Sequence, residues 1–238
     1  ERLLSDYGKL TKKTADDGTR AVLMSLAIET LEDKISAFNR YRKSPMLISN
    51  LLDFYREMKK CCITTEELTE LSEKVKKQSF AKKLNELSLI FECYDALITQ
   101  HFQDDCSNLD LLYDLLGEVE YFNGKTVFVD AFSGFSAQEY KILERILSQA
   151  DEVFVTFCCD TSKNNDRYEL FYNAQTEIKK LKATANRAGV KIAPEKVLYA
   201  NREYKAEPLN VLEENIFTSN GMKYDDNADC ITLMPRRS

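Results

Sequence analysis

The stretch TVFVDAFSGFSAQEY, Thr126 to Tyr140, carries an apolar strand into an aspartate and then into a capped helix. In nucleotide-driven motors built on a parallel sheet, such a strand-end aspartate positions Mg2+, and an adjacent glutamate orients the attacking water. Asp130 stands in the first place and Ala131 in the second. Alanine neither accepts a proton nor holds a water, so Asp130 is expected to be at most a vestigial metal-aspartate position, without turnover. The structural use of the same residue is a cap or hydrogen bond to the turn around Ser133 and Gly134.

Other constellations point away from catalysis. Asn123-Gly124-Lys125-Thr126 ends like a phosphate loop, but Val119 stands where a second glycine is needed, and the tetrapeptide precedes a strand instead of opening a helix. It reads as a turn. Glu57-x-Lys59 and Glu177-x-Lys179 match the E-x-K element of metal-dependent nucleases, which needs residues i and i+2 on one face; both fall in expected helices and read as solvated charge. The single histidine, His101, sits at an expected helix end, where the dipole favours it, and not on a nucleophile turn. Seven cysteines, including two vicinal pairs but no C-x-x-C, fit neither a disulfide framework nor a zinc site and suit a reducing compartment. No catalytic residue, metal ligand or bound cofactor is expected from these residues.

A net charge of −6 argues against a surface that is polyphosphate-binding throughout, but leaves room for a local basic track. Basic residues do cluster, at Arg40, Arg42 and Lys43, at Lys59 and Lys60, and at Lys74, Lys76, Lys77, Lys82 and Lys83. Interleaved with glutamates, they suit a solubilising face; on a helical unit they also suit a track along a nucleic-acid backbone. The nucleic-acid candidates are Arg40, Lys43, Lys76, Lys77, Lys82 and Lys83.

The elements that would position these groups follow from periodicity. Met24, Ile28, Leu31, Ile35 and Phe38 make a helical stripe within 21–38; Ser44 and Pro45 open a second helix with Ile48, Leu51, Leu52, Tyr55 and Met58 inward; Thr64 and Glu67 form a capping box. The longest stripe is Leu84, Leu87, Phe91, Tyr94, Ile98 and Phe102, followed by Leu109, Leu112, Leu116 and Val119. After Gly124 the pattern changes to continuous apolar runs at 126–132 and 152–159, expected to be strands of a parallel sheet buried on both faces, with a helix capped by Ser136 and Glu139 between them. Helices around 168–188 and Pro208 to Phe217, a surface turn at 223–229 and a strand at 230–234 complete the reading. The expected fold class is α/β: an all-helical domain over 1–121 and a parallel βαβ core over 122–238. No apolar run is long enough for a membrane span and no leader is visible, so a soluble cytoplasmic chain, excised from something larger, is expected.

The order of motifs resembles the B subunit (AddB, or RexB) family of bacterial ATP-dependent helicase/deoxyribonucleases. The residues that carry the resemblance are Glu57 and Lys59, Ile63 to Leu68, Lys83-Leu84 and Leu87 with Tyr94 and Leu97. They continue with Asp130, Phe132, Phe135, Gln138, Glu139 and Tyr140, and with the strand ending at Asp160. The family commonly has glycine at the place of Ala131. The resemblance implies a helix-rich fragment of a superfamily 1 helicase-like fold in which the motor has been dismantled, with the helical domain inserted into the α/β core. It also implies DNA and the A subunit, in a heterodimer, as partners, no membrane role, and work in double-strand break processing and recombinational repair that includes recognition of Chi. ATP with Mg2+ and an iron–sulfur cluster are implied only for the full subunit or complex, the phosphate loop N-terminal to Glu1 and the cluster C-terminal to this stretch, so that none of the seven cysteines is a cluster ligand. A protein docking module without direct nucleic-acid contact is the other reading.

Overall fold

The structure, a computed structural model, describes residues 1–159, 171–198, 206–215, 223–226 and 229–232. A short helix α1 (Arg2–Asp6) leads to α2 (Asp17–Thr30), whose start is capped by the Asp16 carboxylate accepting from the Thr19 amide at 2.7 Å. Its inward residues Met24, Ala27 and Ile28 are fully buried. The stripe expected over 21–38 outlasts the helix: α2 ends at Thr30, and Leu31 and Ile35 stay buried in a turn that follows. The chain turns there on three-residue bonds, Glu32 to Glu29 and Lys34 to Leu31, and beyond it the amides of Ser36 to Phe38 are taken by the Glu86 carboxylate, so no helix resumes through them.

A tight helical turn at Asn39–Tyr41 precedes α3 (Pro45–Lys60), with Ser44 at the cap position and Pro45 first in the helix, although the serine side chain makes no capping bond. Thr64 and Glu67 form the expected reciprocal capping box at the start of α4 (Thr65–Lys74). The spine is α5 (Gln78–His101), 24 residues and therefore roughly 36 Å long. Ile90, Phe91, Tyr94 and Ile98 are buried along it, and the Tyr55 ring of α3 meets Phe91 and Tyr94 at 5.4 and 5.0 Å. His101 is the last residue of this helix.

The link to α6 (Asn108–Glu118) is pinned to the start of α2 by a buried guanidinium: Arg20 reaches Asp104 at 3.5 Å and Asp105 at 2.5 Å. A turn through Gly124, at φ +72, then opens β1 (Thr126–Val129), as Asn123-Gly124 suggested. Ser136 and Glu139 cap α7 (Ala137–Gln149), and β2 (Glu152–Val155) returns parallel to β1 with Val127 facing Val153 and Phe128 facing Phe154. Helix α7 joins the helical half to the sheet. Gln138 donates to the Cys106 carbonyl, Gln149 donates to the carbonyls of Leu116 and Val119, and the Arg145 guanidinium lies 4.4 Å from the Tyr113 ring centre. Helix α8 (Tyr172–Arg187) packs on α7, and α9 (Glu207–Asn215) follows.

The architecture is thus helix-rich with a small parallel βαβ unit, compatible with an α/β class. Two expectations about strands are corrected. The sheet is not buried on both faces: among the described residues it has two strands, and Phe128 is 73% and Phe154 44% exposed on its open side. Residues 230–232 form turn and irregular chain instead of a strand; 233–234 lie outside the described residues, as do Asp160 and the first residues of the helix placed at 168. No helix among the described residues is long and apolar enough to cross a membrane.

Candidate nucleic-acid interface

One row of α5, at steps of four residues, reads Ile98, Tyr94, Ile90, Glu86. The first three are apolar core, so Glu86 brings a carboxylate into the same inward row. Its surface is only 3% exposed. It accepts from the amide of Ser36 at 2.9 Å, the Ser36 hydroxyl at 3.2 Å, the Ala37 amide at 2.8 Å and the Phe38 amide at 3.3 Å. Three successive amides converging on one anion form a nest, and this nest binds the 36–38 segment to the helix.

That bond decides where the basic residues stand. Lys83 and Lys82 precede Glu86 by three and four residues, which places them on the same side of α5 about one turn nearer its start. Arg40 and Lys43 follow two and five residues after Phe38, so the Glu86 nest ties the stretch that leads to them to α5 about one turn beyond Lys82 and Lys83. Lys76 and Lys77 stand in the link between α4 and α5.

Ion pairing separates the clustered cations into two groups. Arg42 is taken by Glu32 and Asn39, Lys59 by Asp95 at 3.4 Å, Lys60 by Glu57 at 2.9 Å and Lys74 by Glu70 at 3.4 Å. Lys43, Lys76, Lys77, Lys82 and Lys83 are exposed with no ion-pair partner among the described residues; Arg40 instead lies over the Tyr41 ring at 5.6 Å. From Lys74 to Asn85 the chain has five lysines and no acid, and the next carboxylate, Glu86, is buried and spoken for. The interleaved glutamates expected to neutralise these lysines are therefore missing from this stretch. Glu86 is not among the candidates drawn from the sequence, although an acid on the 90–94–98 row is the signal that would have found it.

Asp130 lies just beyond β1 and is exposed; its carboxylate accepts from the Thr156 hydroxyl just beyond β2 instead of serving the turn at Ser133 and Gly134. Ala131 takes the left-handed φ of +63. The cleft beside this strand end is lined by Ser133, Phe135, Asn173, Thr176, Glu177 and Lys180. Here Glu177 departs from the solvated role expected of it: its side chain is 12% exposed, accepts from the Tyr140 hydroxyl at 2.7 Å and the Phe135 amide at 3.3 Å, and pairs with Lys180 at 2.7 Å. Burial works to raise its pKa, but the bonds from Lys180, Tyr140 and Phe135 prevail and hold it below the usual carboxylate range. It stays ionised, is no proton donor near neutrality, and shuts the start of α7 to an outside anion. The other E-x-K pair, Glu57 and Lys59, lies on α3 with each residue paired elsewhere.

Asp104, Asp105 and Cys106 offer ligand atoms within 4.8 Å of one another. The Arg20 guanidinium already supplies the positive charge at that spot, and burial beside the two aspartates pushes the Cys106 thiol up to about 12, leaving it protonated. These donors suit an ionic clamp and not a metal centre. No four thiols converge among the described residues, so nothing there fits an iron–sulfur cluster, and Asp130 without an acid at 131 fits no complete Mg2+-nucleotide site.

The family model described as ADDB, N-terminal, matches residues 1–213. The chain is similar to proteins named as the B subunit of an ATP-dependent helicase/deoxyribonuclease. One, from Thermoanaerobacter sp. (strain X514), is 31% identical over 224 residues, covering 91% of this chain and 19% of that protein. Another, from Clostridium novyi (strain NT), is 27% identical over 235 residues, 98% of this chain and 21% of that protein. A third, from Listeria innocua serovar 6a, is 27% identical over 236 residues, with 98% and 20% covered. The chain spans about a fifth of the length of these relatives.

Proposed function

This chain belongs to the ADDB N-terminal family, and from that premise we propose that it is a non-catalytic, helicase-like region of a helicase–nuclease subunit that holds DNA and a partner subunit during break processing. In this reading residues 1–121 are the inserted helical domain and 122–238 part of the α/β core. The observation that carries DNA contact is the set of exposed cations with no ion pair among the described residues, Arg40, Lys43, Lys76, Lys77, Lys82 and Lys83, with the Glu86 nest tying the 36–38 segment before Arg40 to α5, in a chain of net charge −6. The observation against turnover is Asp130 bonded to Thr156 with Ala131 beside it.

Any ATP hydrolysis, DNA cleavage, nucleotide or iron–sulfur cofactor belongs, on this reading, to the full subunit or to its partner. A second reading, a docking module for protein, draws on the open side of the sheet, where Phe128 and Phe154 stack at 5.1 Å with rings 11° from parallel. The test is charge reversal of Lys76, Lys77, Lys82 and Lys83 in the full-length protein, followed by DNA binding as a function of salt and by co-purification of the partner. Weaker, less salt-sensitive DNA binding with the partner retained supports the first reading; unchanged DNA binding refutes it in favour of docking. ATP turnover by this chain alone, abolished in Asp130→Ala, would overturn the non-catalytic assignment.

A further inference from the structure

The lysine cluster brackets an aromatic residue in sequence. Phe80 lies in the first turn of α5, one helical step before Leu84, yet it is 49% exposed where Leu84 is 5% exposed. Lys76 and Lys77 precede it, Lys82 and Lys83 follow it, and all four are exposed. No acidic residue stands in the first turn of the helix and no side chain caps it, whereas α2, α4 and α7 each open on a side-chain cap. The positive end of the helix dipole therefore adds to the lysines instead of being cancelled.

We propose that this surface, Phe80 with the exposed Lys76, Lys77, Lys82 and Lys83 that flank it, is a binding site for single-stranded DNA, the ring stacking on an unpaired base while the lysines follow the phosphates. The proposal rests on the DNA-contact reading above and adds strand type and a stacking residue. The chemistry separates the candidate ligands. A duplex can use the lysines but keeps its bases stacked within, out of reach of an exposed ring. An acidic peptide can use the lysines but offers no base to stack. A single strand uses both, because every base has a free face and each phosphate a charge.

The experiment uses the full-length protein and a fluorescent oligothymidine of about 20 nucleotides, a length that covers one or more single-strand site sizes. Phe80→Ala weakens binding to the single strand about ten-fold and leaves duplex affinity unchanged, while Phe80→Trp restores it. Reversal of the four lysines weakens both forms and lowers the salt slope of single-strand binding by about three, roughly 0.7 per lost phosphate contact. Photo-crosslinking with iododeoxyuridine labels the peptide that contains Phe80. If the lysine reversals act but Phe80→Ala changes neither form, or both equally, the single-strand assignment falls and DNA contact stands. Displacement of the single strand by polyglutamate at equal charge concentration overturns it in favour of an acidic protein partner. If neither set of variants changes DNA binding, the DNA-contact reading falls with it.

Discussion

Replacing Glu86 tests both the fold and the interface, because this one carboxylate joins 36–38 to α5. In the wild type it satisfies three amides and a hydroxyl, with contacts of 2.8 to 3.3 Å. Hydrogen bonds to a charged group contribute about 1.5–3 kcal/mol each, and a buried donor left alone costs about 1–3 kcal/mol. Ala37 and Phe38 are half-buried and Ser36 is exposed, so water re-solvates part of the nest in a variant. Glu86→Ala should then cost about 3 kcal/mol, about half of the roughly 6 kcal/mol that four such bonds sum to at the low end because water replaces part of them, and Glu86→Gln about 1–2 kcal/mol, since the amide keeps one accepting oxygen but turns an NH2 toward donors. At this chain length that corresponds to a fall in Tm of roughly 6–12 °C for alanine and about half of that or less for glutamine. Thermal melts by circular dichroism and urea midpoints measure it. DNA affinity at a temperature where both variants remain folded should fall further in Glu86→Ala than in Glu86→Gln, as Arg40 and Lys43 lose their anchor. If Glu86→Ala matches the wild type to within about 0.5 kcal/mol, inside the spread of ordinary surface changes, the nest holds nothing and the tie of the 36–38 segment to α5 is wrong.

Ala131→Gly should stabilise the protein by about 0.5–1 kcal/mol, because a left-handed φ of +63 costs an L-residue about 1–2 kcal/mol and glycine gives part of that back through a freer unfolded chain; a loss of stability in urea melts would count against the backbone assignment there. Glu177 has its folded pKa depressed, so its contribution is fully present above the ordinary carboxylate pKa of about 4.3 and disappears as pH falls through the lower folded value. The stability gap between wild type and Glu177→Gln, measured by urea titration, should accordingly be constant near neutrality and shrink in acid, and a gap that widens in acid refutes the assignment. Asp130→Ala removes one exposed bond to Thr156 and should cost less than about 1 kcal/mol, with no change in any nucleotide hydrolysis by the complex.

What the sequence could and could not disclose follows from how far each signal reaches. Helix α5 is legible because Leu84, Phe91, Tyr94 and Ile98 repeat at the helical period, and the capping boxes at Thr64 and Ser136 are legible because their partners sit three residues away. The pairing of β1 with β2 is legible for the same reason, as two apolar runs around one helix. Which side of the sheet is covered is not: Val-Phe-Val reads alike whether Phe128 meets a neighbour or solvent, and the described residues leave it open. Glu177 reads as solvated because its partners, Phe135 and Tyr140, are about forty residues away on another element, a separation that periodicity does not bridge. The same limit explains the basic surface. Composition shows the lysines but not which are neutralised, and only the pairs Arg42–Glu32, Lys59–Asp95, Lys60–Glu57 and Lys74–Glu70 separate spent cations from free ones. Glu86 then links the two levels: a carboxylate on an apolar row is costly to bury unless something distant requires it, and here that requirement is the 36–38 segment, whose amides it holds just before Arg40 and Lys43.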